Sequence, residues 1–157
     1  MSQSNLSKVS RFFSWLFQLI AAVIFLQTLY FKFTAAPESV YIFETVGMEP
    51  WGRIGSGIVE LIAGLMLFWN RTAWMGASLG VVVISGALIS HFTVLGIEVM
   101  NDNGTLFYLA LTVFISCLLV LWIRRDQVRE DVKNLLGKRT GISKSDQIDQ
   151  QYHQGDK

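Results

Sequence analysis

Glu60 stands inside the apolar run Gly57-Ile-Val-Glu-Leu-Ile-Ala-Gly64, where a carboxylate can accept hydrogen bonds, pair with a cation or exchange a proton. Four further side chains suit that chemistry by type. Lys32 offers an ammonium, His91 an imidazole, and Tyr108 and Thr28 offer hydroxyls. Placing a comparable charge at the middle of a membrane span costs about 2.5–3.5 kcal/mol, so an ionisable residue there reads first as a site residue. Each has a plainer reading beside it. Glu60 serves packing if Lys32 or His91 merely neutralises it; Lys32 can snorkel to a surface; His91 can be a hydrogen-bonded packing residue and Tyr108 an interface anchor. Cys117, Met66 and Met75 read as apolar contacts.

The elements that must position these groups follow from composition. Of 157 residues, 52% are hydrophobic and 16% charged, with net charge +1 and mean hydropathy +0.42; soluble domains carry about 25% charged residues. A nucleic-acid partner is excluded by the absence of a basic field, and one cysteine forms no intrachain disulfide or CxxC pair. The apolar residues fall in four continuous blocks, about 12–31, 54–69, 73–96 and 105–123. A bilayer core of about 30 Å needs roughly 20 helical residues, and too few segments exist for a membrane barrel. The expected fold is all-α, a polytopic membrane protein built as a four-transmembrane-helix bundle over residues 1–125. A charged cytoplasmic tail over 126–157 follows, helix-compatible at its start and largely disordered after about 137.

Lys and Arg counts set the orientation. Eleven lie in the N-terminal arm, the 70–72 link and the tail, and two, Lys32 and Arg53, on the opposite side. Both termini are therefore expected in the cytoplasm. The five tryptophans fall near span ends, where indoles prefer the interface. Residues 38–46 between the first two spans suit a short interfacial helix, and Asn101-Asp-Asn-Gly suits a turn before the fourth.

Inward faces of membrane helices are marked by small and polar residues. The expected faces are Ser14, Gln18, Ala21, Thr28 and Lys32 in span one, Gly52, Ser56, Glu60 and Gly64 in span two, Gly76, Gly80, Ala87 and His91 in span three, and Thr105, Tyr108, Thr112 and Ser116 in span four. At about 1.5 Å per residue, Lys32, Glu60, His91 and Tyr108 are expected at one outer level. Nothing comparable is expected in the cytoplasmic half.

The ordered elements Leu29-Tyr-Phe-Lys-Phe33, Gly47-Met-Glu-Pro-Trp51, Gly57 to Gly64, Ser90-His-Phe-Thr-Val-Leu-Gly96 and Asn103-Gly-Thr-Leu-Phe-Tyr-Leu-Ala110 resemble the DoxX-like family of small four-helix membrane proteins over about residues 12–125. The resemblance implies a bacterial inner-membrane protein, with Lys32, Glu60 and His91 at recurrent polar positions. Its namesake branch is associated with thiosulfate:quinone oxidoreductase and membrane oxidoreductase complexes. On that analogy the expected role is an accessory subunit of a membrane redox or stress-response system, more a binding protein than an enzyme on its own. Its outward-facing polar pocket would take a quinone or small ligand through Thr28, Lys32, Glu60, His91 and Tyr108. Membrane oxidoreductase subunits and a second copy are the expected protein partners. No cofactor is required, no metal site is expected, and two-histidine haem ligation is disfavoured because His153 lies in the tail. The alternatives are a proton-coupled small-molecule transporter and a membrane-protein assembly partner.

Overall fold

The computed structural model describes residues 8–139, and among them there is no strand. Six α-helices follow in order: α1 (Lys8–Phe33), α2 (Pro37–Thr45), α3 (Trp51–Leu67), α4 (Ala73–Ser90), α5 (Thr105–Ile123) and α6 (Arg125–Arg139). A π-helical turn, His91–Leu95, continues α4. Residues Leu6–Arg124 form one compact unit and the segment containing α6 belongs to another.

Among the described residues three helices, Lys8–Phe33, Ala73–Leu95 and Thr105–Ile123, are long and apolar enough to cross a membrane. At about 1.5 Å per residue, the 17 residues of α3 reach about 25 Å, short of the roughly 30 Å hydrocarbon core. Within the first unit α1 packs on α3 and α5, and α4 packs on the same two, so four helices close a ring. The short helix α2 touches α1, α3 and the π-helical turn. It marks one end of the bundle, the α2 end; Arg124, at the close of α5, marks the other.

Helix ends follow local chemistry. Pro37 opens α2, at the first-turn position where a missing N–H is harmless. The chain leaves the π-helical turn through Gly96 at φ +76, a left-handed conformation that glycine adopts without a side-chain clash. Before α5, the Asp102 carboxylate accepts the backbone N–H groups of Val99 and Gly104, both at 2.9 Å, and of Leu106 at 2.8 Å. A negative group at a helix start is stabilised by the unpaired N–H groups there. Burial works to raise the Asp102 carboxyl, but these backbone donors and nearby His91 outweigh it and hold the group below its ordinary value.

The core joins Ala21, Ala22 and Phe25 of α1 to Ala63 and Leu67 of α3, Ala77, Ile84 and Leu88 of α4, and Phe107, Val113, Cys117 and Val120 of α5. Small residues set the helix spacing. A Cβ on Gly76 would stand 2.7 Å from the Ala63 carbonyl oxygen, and one on Gly80 2.9 Å from Cys117 Sγ. Without a hydrophobic force between lipid-solvated helices, such close backbone approach is a main source of association. Large apolar side chains cover the outside instead: Tyr30, Val82 and Phe92 point outward, as do the end tryptophans Trp51, Trp69 and Trp122.

Two expected inward faces need correction. In α5, Thr105, Tyr108 and Thr112 are exposed and only Ser116 of that set is buried; the packed face is Phe107, Val113, Ser116, Cys117 and Val120. Thr112 donates to the Tyr108 carbonyl at 2.8 Å, and Ser78, Ser85 and Ser90 of α4 likewise donate four residues back. A hydroxyl satisfied by its own helix has no need to face protein. In α3 the buried stripe is Arg53, Gly57, Glu60, Gly64 and Leu67, while Gly52 and Ser56 are half-buried. A strict four-residue row drifts around a 3.6-residue helix, whereas alternating steps of four and three hold one face.

The short helix at 38–46 and the turn at 101–104 occur near their expected places, as α2 and as a run with positive φ at Asn101, Asn103 and Gly104. The tail begins as α6, which continues to Arg139. The expectation of disorder beyond that point lies outside the described residues.

Candidate functional site

The last turns of α1 and the middle of α3 bring three of the five expected residues together. Lys32 Nζ forms an ion pair and hydrogen bond with Glu60 Oε1. Thr28, one turn earlier on the same face of α1, has its hydroxyl 3.2 Å from Glu60 Oε2 and 2.8 Å from the Phe25 carbonyl oxygen. Glu60 is only 3% exposed, so both carboxylate oxygens meet partners inside the bundle. Gly57, one turn before Glu60, permits the approach: a Cβ there would lie 3.2 Å from the Phe33 ring and 3.7 Å from Lys32 Cβ. The ring of Phe43 on α2 lies 5.9 Å from Lys32 Nζ, within reach of a cation–π attraction.

A second ion pair adjoins the first, and sequence reasoning missed it. The sequence places Arg53 as an outer-side charge that the short second span recruits at its start, without a partner; it is buried in the first turn of α3. Its Nε donates to both oxygens of Glu49, at 2.9 and 3.0 Å, and Nη2 donates to Oε1 at 2.6 Å. Its Nη1 donates to the backbone carbonyl of Lys32, one of the carbonyls that the end of α1 leaves without an intrahelical partner. Lys32 is thus held at both ends, by Glu60 through its ammonium and by Arg53 through its main chain. The Glu-x-x-x-Arg spacing of residues 49 and 53 was the available signal, although Glu49 stands in the turn before α3 and not on the helix itself.

His91 and Tyr108 stand apart from this group. His91 is buried, but its Nδ1 bonds the Gly96 carbonyl at 2.7 Å across the π-helical turn, and its ring meets Phe107 edge-on at 5.6 Å. A carbonyl only accepts, so Nδ1 carries the hydrogen and His91 fastens the chain where α4 ends. Tyr108 is 59% exposed and points away from the core, with Phe107 as its ring neighbour.

The opposite end carries a polar centre that was not expected there. Arg124 is 3% exposed. Its Nε donates to Ser14 Oγ at 2.8 Å, Nη1 to the Asn70 carbonyl and Nη2 to Asn70 Oδ1, both at 2.6 Å. Gln18 Nε2 donates to the same Ser14 Oγ at 2.7 Å and to the Ser14 carbonyl at 2.9 Å. Burial pulls the Arg124 guanidinium below its ordinary value. The centre ties the start of α1, the α3–α4 link and the end of α5. In sequence Arg124 is indistinguishable from its basic neighbours, because a fold-specific contact 110 residues away leaves no local trace.

Among the described residues there is no group of three or more His, Cys, Asp or Glu that could hold a metal ion. Cys117 is a buried free thiol, packed where α5 meets Gly80. Comparison with family models, curated proteins and solved structures returns no match.

Proposed function

We propose that this chain is a four-span, DoxX-like protein of the bacterial inner membrane, with both termini in the cytoplasm. In this reading it is an accessory subunit of a membrane redox or stress-response system, and it binds a small polar ligand, a quinone headgroup among the candidates, at the α2 end. The supporting observation is the buried Glu60 carboxylate held between Lys32 and Thr28. Thr28 has one hydrogen for two acceptors. With that hydrogen on the shorter bond to Phe25, an oxygen lone pair faces Glu60 Oε2. A buried carboxylate with a cation on one oxygen and a hydroxyl beside the other sets charged and hydrogen-bonding groups together at one place in the bundle.

Lys32, whose ammonium has hydrogens beyond the one given to Glu60, supplies a donor for a quinone carbonyl, whereas the Thr28 hydrogen is taken by Phe25 and Glu60, Tyr108 faces outward and His91 is engaged by Gly96. The partners in this reading are membrane oxidoreductase subunits or a second copy. The test uses the full chain in nanodiscs titrated with a short-chain ubiquinone, beside complementation of the host phenotype. Glu60→Gln should remain folded and lose binding and function, and Glu60→Leu should lose function too. A Glu60→Leu protein that is more stable and fully functional would remove Glu60 from the site and the reading with it. Uptake driven by a pH gradient in liposomes would replace it with the transporter reading.

A further inference from the structure

α6 carries an apolar row along one side. Val128, Val132, Leu135 and Leu136 fall within about 100° of arc at 100° per residue, and Val132 is 38% exposed while Leu135 and Leu136 are each 57% exposed. Glu130 and Asn134 lie on the opposite side of the same helix by register, Lys133 stands to one side, Arg129 and Asp131 border the row, and Arg125 and Arg139 fall within its arc at the two ends of the helix. The segment as a whole has five basic residues, Arg125, Arg129, Lys133, Lys138 and Arg139, against three acidic ones, Asp126, Glu130 and Asp131.

Chain connectivity says what covers this row. α5 is the most apolar of the helices able to cross a membrane, with mean hydropathy 2.6, and one residue, Arg124, separates its last residue from the first of α6. Trp122, 66% exposed, marks that emergence as a membrane interface by the preference of indole for headgroup depth. α6 therefore starts at the bilayer surface. A 15-residue helix is marginal in water on its own and gains stability by laying an apolar row into the boundary between headgroups and acyl chains. Lys and Arg beside such a row are attracted to anionic headgroups within a Debye length of the surface.

We infer that α6 is an interfacial helix that docks on an anionic phospholipid surface through Val128, Val132, Leu135 and Leu136. This makes the tail a second membrane-contacting element, distinct from the spanning bundle and independent of what the Glu60 group binds.

Spin labels placed one at a time along 128–136 of the full chain, in a Cys117→Ala background checked by thermal melting, test the assignment. The protein is reconstituted in nanodiscs of phosphatidylcholine with one-third phosphatidylglycerol, and accessibility is read with oxygen and with a water-soluble nickel complex. The oxygen-to-nickel ratio should be several-fold higher at 132 and 135 than at 130 and 134, with a 3.6-residue period. In discs of phosphatidylcholine alone that contrast should fall several-fold. High nickel accessibility at every position would show a solvated arm and overturn the inference. So would low accessibility to both reagents along the row, which marks coverage by protein. A contrast indifferent to phosphatidylglycerol would overturn the assignment of an anionic surface.

Discussion

The two ends of the bundle solve the burial of charge differently. At the α2 end, Lys32 and Arg53 each face a carboxylate, Glu60 and Glu49, and the pairs are joined through the Lys32 main chain. At the other end, Arg124 donates to Ser14 Oγ and to the carbonyl and Oδ1 of Asn70, among the described residues. An ion pair gains strength in a low dielectric but leaves a costly lone charge when either partner goes. The guanidinium bonds to Ser14 and Asn70 form a brace, since they tie separate chain segments and no single acceptor carries the whole interaction.

The largest expected effect comes from splitting the buried pair. Lys32→Met leaves Glu60 in the bundle without its cation and should cost about 3–5 kcal/mol of stability; the double change Lys32→Met with Glu60→Leu should cost clearly less than the sum of the two single changes. Thermal and denaturant unfolding in detergent measures both. Additive losses would mean that the pair is no unit, and the contrast between the ends would disappear.

Arg124→Met should cost less, about 1.5–3 kcal/mol, the range for hydrogen bonds made by a charged donor. Arg124→Lys should recover little of it, because an ammonium cannot reproduce the fork that reaches Ser14 and both oxygens of Asn70. Unfolding in detergent reports the loss, and amide exchange should show it concentrated in the start of α1 and the α3–α4 link. Full recovery by lysine would reduce this end to a point charge.

Asp102 gives the smallest effect and sharpens the α2 end further. Its carboxyl is held below the ordinary value in the folded chain, so its contribution is complete above the unfolded value and fades as pH falls through the folded one. Asp102→Ala should cost about 1 kcal/mol, the scale of a lost helix cap. Asp102→Asn, which cannot titrate, should flatten the acid limb of the stability curve. A limb unchanged in Asp102→Asn would assign it to other carboxylates.

Much of the scaffold is legible in the sequence because it is local. Continuous apolar runs specify helices whose backbone groups bond internally, and the α2 segment and the Asp102 turn are announced by their Pro, Asn and Gly residues. The inward faces were harder to read. Polarity pointed to Thr105, Tyr108 and Thr112, but a threonine bonded to its own helix tolerates lipid, and Phe107, Val113, Cys117 and Val120 formed the contacts instead.

By itself, the sequence determined that the chain is helical, that its longest apolar helices suit a bilayer, and that Glu60 is an ionisable residue set among apolar ones. Tertiary structure alone decided which groups meet. It joined Glu60 to Lys32 and Thr28, separated His91 and Tyr108 from them, drew Arg53 inward beside Glu49, and buried Arg124 against Ser14 and Asn70. The physical reason is range: helix formation is written in neighbours three and four residues apart, whereas the partner of a buried charge is set by helix rotation and close approach across the bundle. A shift of one residue in a packing face turns a side chain by 100° and changes that partner entirely.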